Sequence, residues 1–125
     1  MGSQSVGFVG AVGGAGTTQS VLEIAGVLAR DGQRVLVLDL DFATQGLERH
    51  VDGPIPIDAT ALLADPDHSL EEAIHEWSVA GAGELGVVPA RAPFTQVAEA
   101  KSAAAGERVA ERIGEAAADW VLLDV

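Results

Sequence analysis

The chain has 125 residues, 48% of them hydrophobic, with 19 acidic against seven basic side chains and a formal net charge of −12. That length allows one domain with a real apolar core, the absence of cysteine excludes disulfides and thiolate chemistry, and so acidic a surface repels phosphate backbones, which excludes direct nucleic-acid binding by this segment. No apolar run approaches the ~18 residues of a membrane span and no basic-then-apolar leader opens the chain, so a cytoplasmic protein without a transmembrane segment is expected.

Met1-Gly2 opens like an acylation site, but Val6 stands where that motif needs Ser or Thr. Lys101 is the sole lysine. A lysine-poor, acid-rich composition suits a halophilic, high-salt cytoplasm in which salt screens self-repulsion.

The elements alternate along the chain. Ser5 to Gly10 predicts a buried strand ending in glycine. Thr17 to Arg30 predicts a helix with Val21, Ile24 and Leu28 on one stripe, stopped by Asp31-Gly32. Gln33 to Leu38 contains Val35-Leu36-Val37-Leu38, apolar on both faces as central parallel strands are. Ala59 to Ala64 predicts a short helix. A second helix is capped by Ser69, with Glu72 at the capping-box position, and ends at Trp77. Leu85 to Val88 predicts a strand stopped by Pro89, Val97 to Ala118 a long helix with Val109, Ile113 and Ala117 on one face, and Trp120 to Leu123 a last strand. Pro54–Pro56 and Ala90–Pro93 read as loops. This alternation predicts an α/β fold, a doubly wound parallel sheet with helices on both faces.

The chemistry begins after the first strand. Gly10 to Thr18 is a glycine-rich turn running into a helix, and its Gly13, Gly14, Ala15, Gly16, Thr17 and Thr18 form a candidate phosphate cradle. Backbone N–H groups at a helix mouth favour anionic oxygens, and glycine lets the backbone come close. Thr18, in the first helical turn, offers a hydroxyl to Mg²⁺. Asp39 and Asp41 close the second strand, at the end of the sheet where ligands bind in open α/β folds. Asp124 closes the last strand. Acids so placed hold magnesium-bound water or orient an attacking one.

Taken together, these segments resemble the ParA/MinD family of P-loop ATPases, whose loop reads K-G-G-x-G-K-[ST]-[ST]. The matching stretch here is Val12 to Gln19. Asp39-Leu40-Asp41 resembles the family's D-x-D, and Val121-Leu122-Leu123-Asp124 its Walker B strand. Ala61-Leu62-Leu63-Ala64, Ser69 to Ile74 and Leu85 to Ala90 resemble its middle portion. The resemblance implies one P-loop nucleotide-binding domain over residues 1–125, ending just after the Walker B strand where the family's domain continues. It also implies ATP or ADP with Mg²⁺ as cofactor. Gly13 to Thr18 would hold nucleotide, Thr18, Asp39 and Asp124 would serve the metal, and Asp41 would act catalytically by orienting water. Homodimerisation and a polar or membrane-associated protein partner follow from the same resemblance, as does a role in positioning or partitioning a cellular machine.

Two departures stand out. Val12 replaces the signature lysine that crosses the family's dimer interface, and Thr17 replaces the Walker lysine. This lysine-lacking loop is similar to that of the TadZ/CpaE-like branch. Loss of two cations predicts weak or absent hydrolysis, because phosphoryl transfer depends on charge stabilisation. A non-hydrolysing pseudo-ATPase scaffold is therefore a second expectation. A third is a Rossmann-type NAD(P) site, with Gly10, Gly13 and Gly16 in the turn and Asp39 on a ribose hydroxyl. Arg91 is a candidate replacement for a missing lysine. His50, His68 and His75 lack metal-ligand spacing, and Trp77 and Trp120 read as packing residues.

Overall fold

The computed structural model describes residues 4–8, 17–42, 45–79, 81–92 and 103–125. In chain order these form β1 (Gln4–Phe8), α1 (Thr17–Arg30), β2 (Arg34–Asp39), a 3-10 turn (Gly46–His50), α2 (Ala59–Ala64), α3 (Leu70–Ala73), β3 (His75–Trp77), β4 (Glu84–Val88), α4 (Ala103–Glu115) and β5 (Trp120–Asp124). The sheet order is β1-β5-β2-β4-β3. The β1–β5, β5–β2 and β2–β4 pairs are parallel, as expected.

Alternation along β2 divides the core. Val35 and Val37 face α1, joining Val21, Ala25, Ala29, Val87 and Leu122 in one cluster. Leu36 and Leu38 face the opposite way, joining Leu62, Leu63, Leu70, Ala73, Val88 and Val121, with Val109 and Ile113 of α4 packed against them. Helices therefore cover both faces, and β2 is buried on each side, which accounts for its unbroken apolar run.

Helix α1 has the predicted bounds. Its end is a Schellman arrangement: the Gly32 amide donates to the Ala29 carbonyl at 3.1 Å and the Gln33 amide to Leu28 at 3.0 Å. Gly32 takes φ of +88°, a conformation that glycine adopts without a Cβ penalty.

Two expectations are corrected. The helix capped by Ser69 does not reach Trp77. It ends at Ala73, Ile74 is extended, and His75–Trp77 pairs antiparallel with β4. The sheet is thus mixed, with an antiparallel edge. Ile74 fills the space beside Gly86, where an added Cβ would lie 2.8 Å from its Cγ2, and Trp77 packs against the α1-side cluster. Burial of these two side chains against the sheet outweighs one more helical turn.

The last helix also stops early, at Glu115. Ala117 lies outside it and is exposed, so it does not share the face of Val109 and Ile113. Residues 97–102 of the predicted helix lie outside the described residues, as do 9 and 10 of the first predicted strand.

Candidate nucleotide and metal site

Two parallel strands deliver two acids to one place. In the β2–β5 register Asp39 lies beside Asp124, and the Leu40 amide donates to the Asp124 carbonyl at 2.8 Å, carrying the pairing one residue past β2. Helix α1 brings the third group: the Thr18 hydroxyl donates to Asp124 Oδ2 at 2.5 Å. The other carboxylate oxygen, Asp124 Oδ1, is buried and has no hydrogen-bond partner among the described residues.

Asp39 is fully buried. Its Oδ1 accepts from the Asp41 amide at 2.9 Å and its Oδ2 from the Leu47 amide at 3.2 Å. Burial pushes its pKa up to about 7; the Leu47 amide opposes that, and the Asp124 and Asp41 charges add to it. Asp124 is also raised, first by burial and then by the Asp41 charge, against the Thr18 hydrogen bond. The Asp41 charge thus acts on both Asp39 and Asp124, and the Asp124 charge on Asp39, at the C-terminal edge of the sheet. Asp41, half-buried, begins the turn out of β2, and its carbonyl accepts from the Gln45 amide at 2.8 Å.

The groups present fit a hydrated divalent cation. A buried acceptor oxygen without a donor among the described residues and a hydroxyl bonded to the same carboxylate suit a magnesium ion that keeps most of its waters. Among the described residues no group of three or more His, Cys, Asp or Glu side chains is placed to ligate a metal directly. The Thr18 hydroxyl and the Asp124 carboxylate have the chemistry to meet such an ion and its waters.

Gly13, Gly14, Ala15 and Gly16, the centre of the predicted cradle, lie outside the described residues; Thr17 and Thr18 are the first residues of α1. Arg91 is engaged away from the acids: its Nε donates to Glu48 Oε1 at 2.7 Å, and its amide to Asp58 Oδ2 at 2.8 Å. Arg34 pairs with Glu84, and Arg108 and Arg112 hold carbonyls at the end of α2. His68 lies between Asp65 and Glu72, and the His50 ring lies 6.2 Å from that of Trp77.

The Rossmann expectation does not survive. In that fold the first two strands are neighbours, whereas here β5 separates β1 from β2.

Sequence reasoning missed Gln45, Gly46 and Leu47. Leu47 supplies an amide to Asp39, and a Cβ added to Gly46 would lie 2.6 Å from Thr18 Oγ1. A glycine seven residues after Asp39 was the available signal, since close backbone approach selects it.

No protein-family model matches the chain, and no curated protein matches it in sequence. Solved structures do. MinD from Pyrococcus horikoshii OT3, a septum site-determining protein complexed with Mg-ADP, superposes with a TM-score of 0.72 at 23% identity, covering 98% of this chain and 48% of that one. A ParA family ATPase from Chlorobium tepidum TLS gives 0.74 at 23% identity, over 98% and 51%. The chain has the ParA/MinD P-loop fold. Cobyrinic acid a,c-diamide synthase from Mycobacterium smegmatis, with bound ADP and magnesium, shares it at a TM-score of 0.71 and 20% identity, over 98% and 50%. The chain spans about half the length of the structures it matches. The Thr18–Asp124 hydrogen bond joins the start of α1 to the end of β5, with Asp39 beside Asp124 in the register.

Among the described residues no helix is long and apolar enough to cross a membrane.

Proposed function

We propose that residues 1–125 form a single P-loop domain that binds ATP or ADP with Mg²⁺ and hydrolyses ATP slowly or not at all. The observation that carries this reading is the hydrogen bond from Thr18 to Asp124, whose second oxygen has no partner among the described residues and which has Asp39 beside it. Gly13 to Thr18 would hold the phosphates through main-chain amides. Thr18 would ligate magnesium, Asp124 and Asp39 would hold its waters, and Asp41 would orient the attacking water. Magnesium, when bound, neutralises phosphate charge.

On the ParA/MinD resemblance, nucleotide state would bias self-association and docking on a polar or membrane-associated protein in the cytoplasm. The outcome would be placement of a cellular machine. Mg-ADP in the MinD neighbour, and ADP with magnesium in the synthase, support the cofactor assignment.

A second reading, a scaffold without turnover, is favoured by charge. Both family lysine positions are uncharged, at Val12 and Thr17, and Arg91 is held by Glu48. Calorimetric titration with ATP and ADP, each with and without Mg²⁺, tests the binding claim. Magnesium-dependent binding that Thr18→Ala weakens is expected, and absence of nucleotide binding would remove the reading. Phosphate release separates the two readings: a slow rate lost in Asp41→Ala supports the ATPase, and no rate above background supports the scaffold.

A further inference from the structure

The turn after β2 touches Thr18, Asp39 and Asp41. At Gly46 the main chain lies so close to Thr18 that a Cβ would meet Oγ1 at 2.6 Å, the same atom that donates to Asp124. One residue on, the Leu47 amide holds Asp39 Oδ2, and Leu47 itself is buried in the α1-side cluster. One residue back, Gln45 adopts a left-handed conformation, φ 51° and ψ 45°, uncommon for a non-glycine residue.

That strained residue is fixed by its side chain. Gln45 Nε2 donates to the Ala92 carbonyl at 3.1 Å, and its Oε1 accepts from the Ala92 amide at 3.2 Å, so the amide group pairs with the segment after β4 as a strand would. Glu48, on the same turn, receives Arg91 from that segment. Strain held in place by surrounding contacts is a mark of functional positions.

We infer that Gln45, Gly46 and Leu47 are positioning residues for the metal: Gly46 sets the Thr18 hydroxyl against Asp124, Leu47 fixes Asp39, and Gln45 anchors the turn on Ala92. The inference rests on the nucleotide–magnesium reading above and adds to it the group that holds the metal-binding side chains in register. It also gives the site a physical link to the segment after β4, through two hydrogen bonds and one ion pair.

The test compares the wild type with Gly46→Ala and Gln45→Ala, measuring ATP affinity with Mg²⁺ and with EDTA. The gain in affinity that magnesium confers falls about tenfold or more in Gly46→Ala, the scale of one lost charge-assisted contact. Affinity in EDTA stays within about twofold of wild type, because the phosphate amides are untouched. Gln45→Ala leaves the space at Gly46 open; its magnesium gain falls by about threefold, with faster hydrogen exchange at the Leu47 and Ala92 amides. A merely structural effect would weaken both affinities together and would overturn the inference, as would an unchanged magnesium gain in both variants. If Gly46→Ala fails to fold, Gln45→Ala decides by the same criteria. A wild type that binds no nucleotide under either condition overturns the functional reading, and this inference with it.

Discussion

Asp39 and Asp124 are register partners at the ends of adjacent parallel strands, and both are withdrawn from solvent. Burial raises both pKa values, Asp39 to about 7, so the folded protein without metal retains a proton there that the unfolded chain releases near pH 4. Between those values the folded state binds more protons. Its stability is therefore highest at and below the unfolded pKa, and falls as pH rises toward 7. The expected loss is on the order of 1.4 kcal/mol for each pH unit over which Asp39 alone titrates. In Asp39→Asn that part of the slope disappears. Urea denaturation of the nucleotide-free protein from pH 4.5 to 7.5 measures the difference. Parallel pH profiles for the two proteins would contradict it.

Asp58, at the start of α2, is a stability prediction independent of nucleotide. It is 3% exposed and accepts from the Thr60 hydroxyl, the Ala61 amide at 3.0 Å and the Arg91 amide at 2.8 Å. Alanine would leave those donors without an acceptor, and roughly 2–4 kcal/mol of stability is expected to go, more than an exposed cap supplies. Asp58→Asn keeps one acceptor oxygen and should cost about half as much. Denaturation midpoints at constant m-value check the order.

The segments that pack on both faces were legible because their constraints are local. The apolar run in β2, the Thr17–Arg30 stripe and the Asp31-Gly32 stop each carry a period or a stop signal. The end of α3 was not, since whether Ile74 and Trp77 continue a helix or turn onto the sheet depends on the space beside Gly86. At the site, Asp39, Thr18 and Asp124 could be marked by their places at element ends, but not the hydrogen bond between the last two, 106 residues apart. The role of the 45–47 turn was hidden for the same reason: it acts through main-chain groups whose partners are set only by the tertiary fold.

Arg112 offers a comparison between two arginines with one task. Its side chain is 6% exposed and donates to the carbonyls of Leu62 at 3.0 Å and Asp65 at 3.1 Å, while Arg108 reaches Leu63 at 2.7 Å and Ala64 at 3.1 Å. Both supply donors to carbonyls that the helix end leaves unpaired, and their charge complements its dipole. Arg112→Met is expected to cost roughly 2–3 kcal/mol and Arg108→Met about 1 kcal/mol, because the bond from Arg112 to the Leu62 carbonyl is buried whereas both Arg108 bonds are part-buried. Thermal melting of the two variants tests the ranking, and equal losses would contradict it.

Thr17 gives the sharpest test of the charge argument. It is half-buried at the first position of α1, one residue before Thr18, where the ParA/MinD pattern has its Walker lysine. The Asp41 charge raises the pKa of both Asp39 and Asp124, and Arg91 is held elsewhere by Glu48, so the described part of the site has acceptors in excess of cations. Thr17→Lys is expected to raise ATP–Mg²⁺ affinity by about tenfold and to bring phosphate release above background, since a fixed cation acts where charge develops. Thr17→Met, of similar length without charge, should do neither, and the lysine's gain should shrink with added salt. Calorimetry and a phosphate-release assay on the two variants separate charge from side-chain length. If lysine and methionine behave alike, missing charge is not what limits this site, and the scaffold reading becomes the better account of the fold.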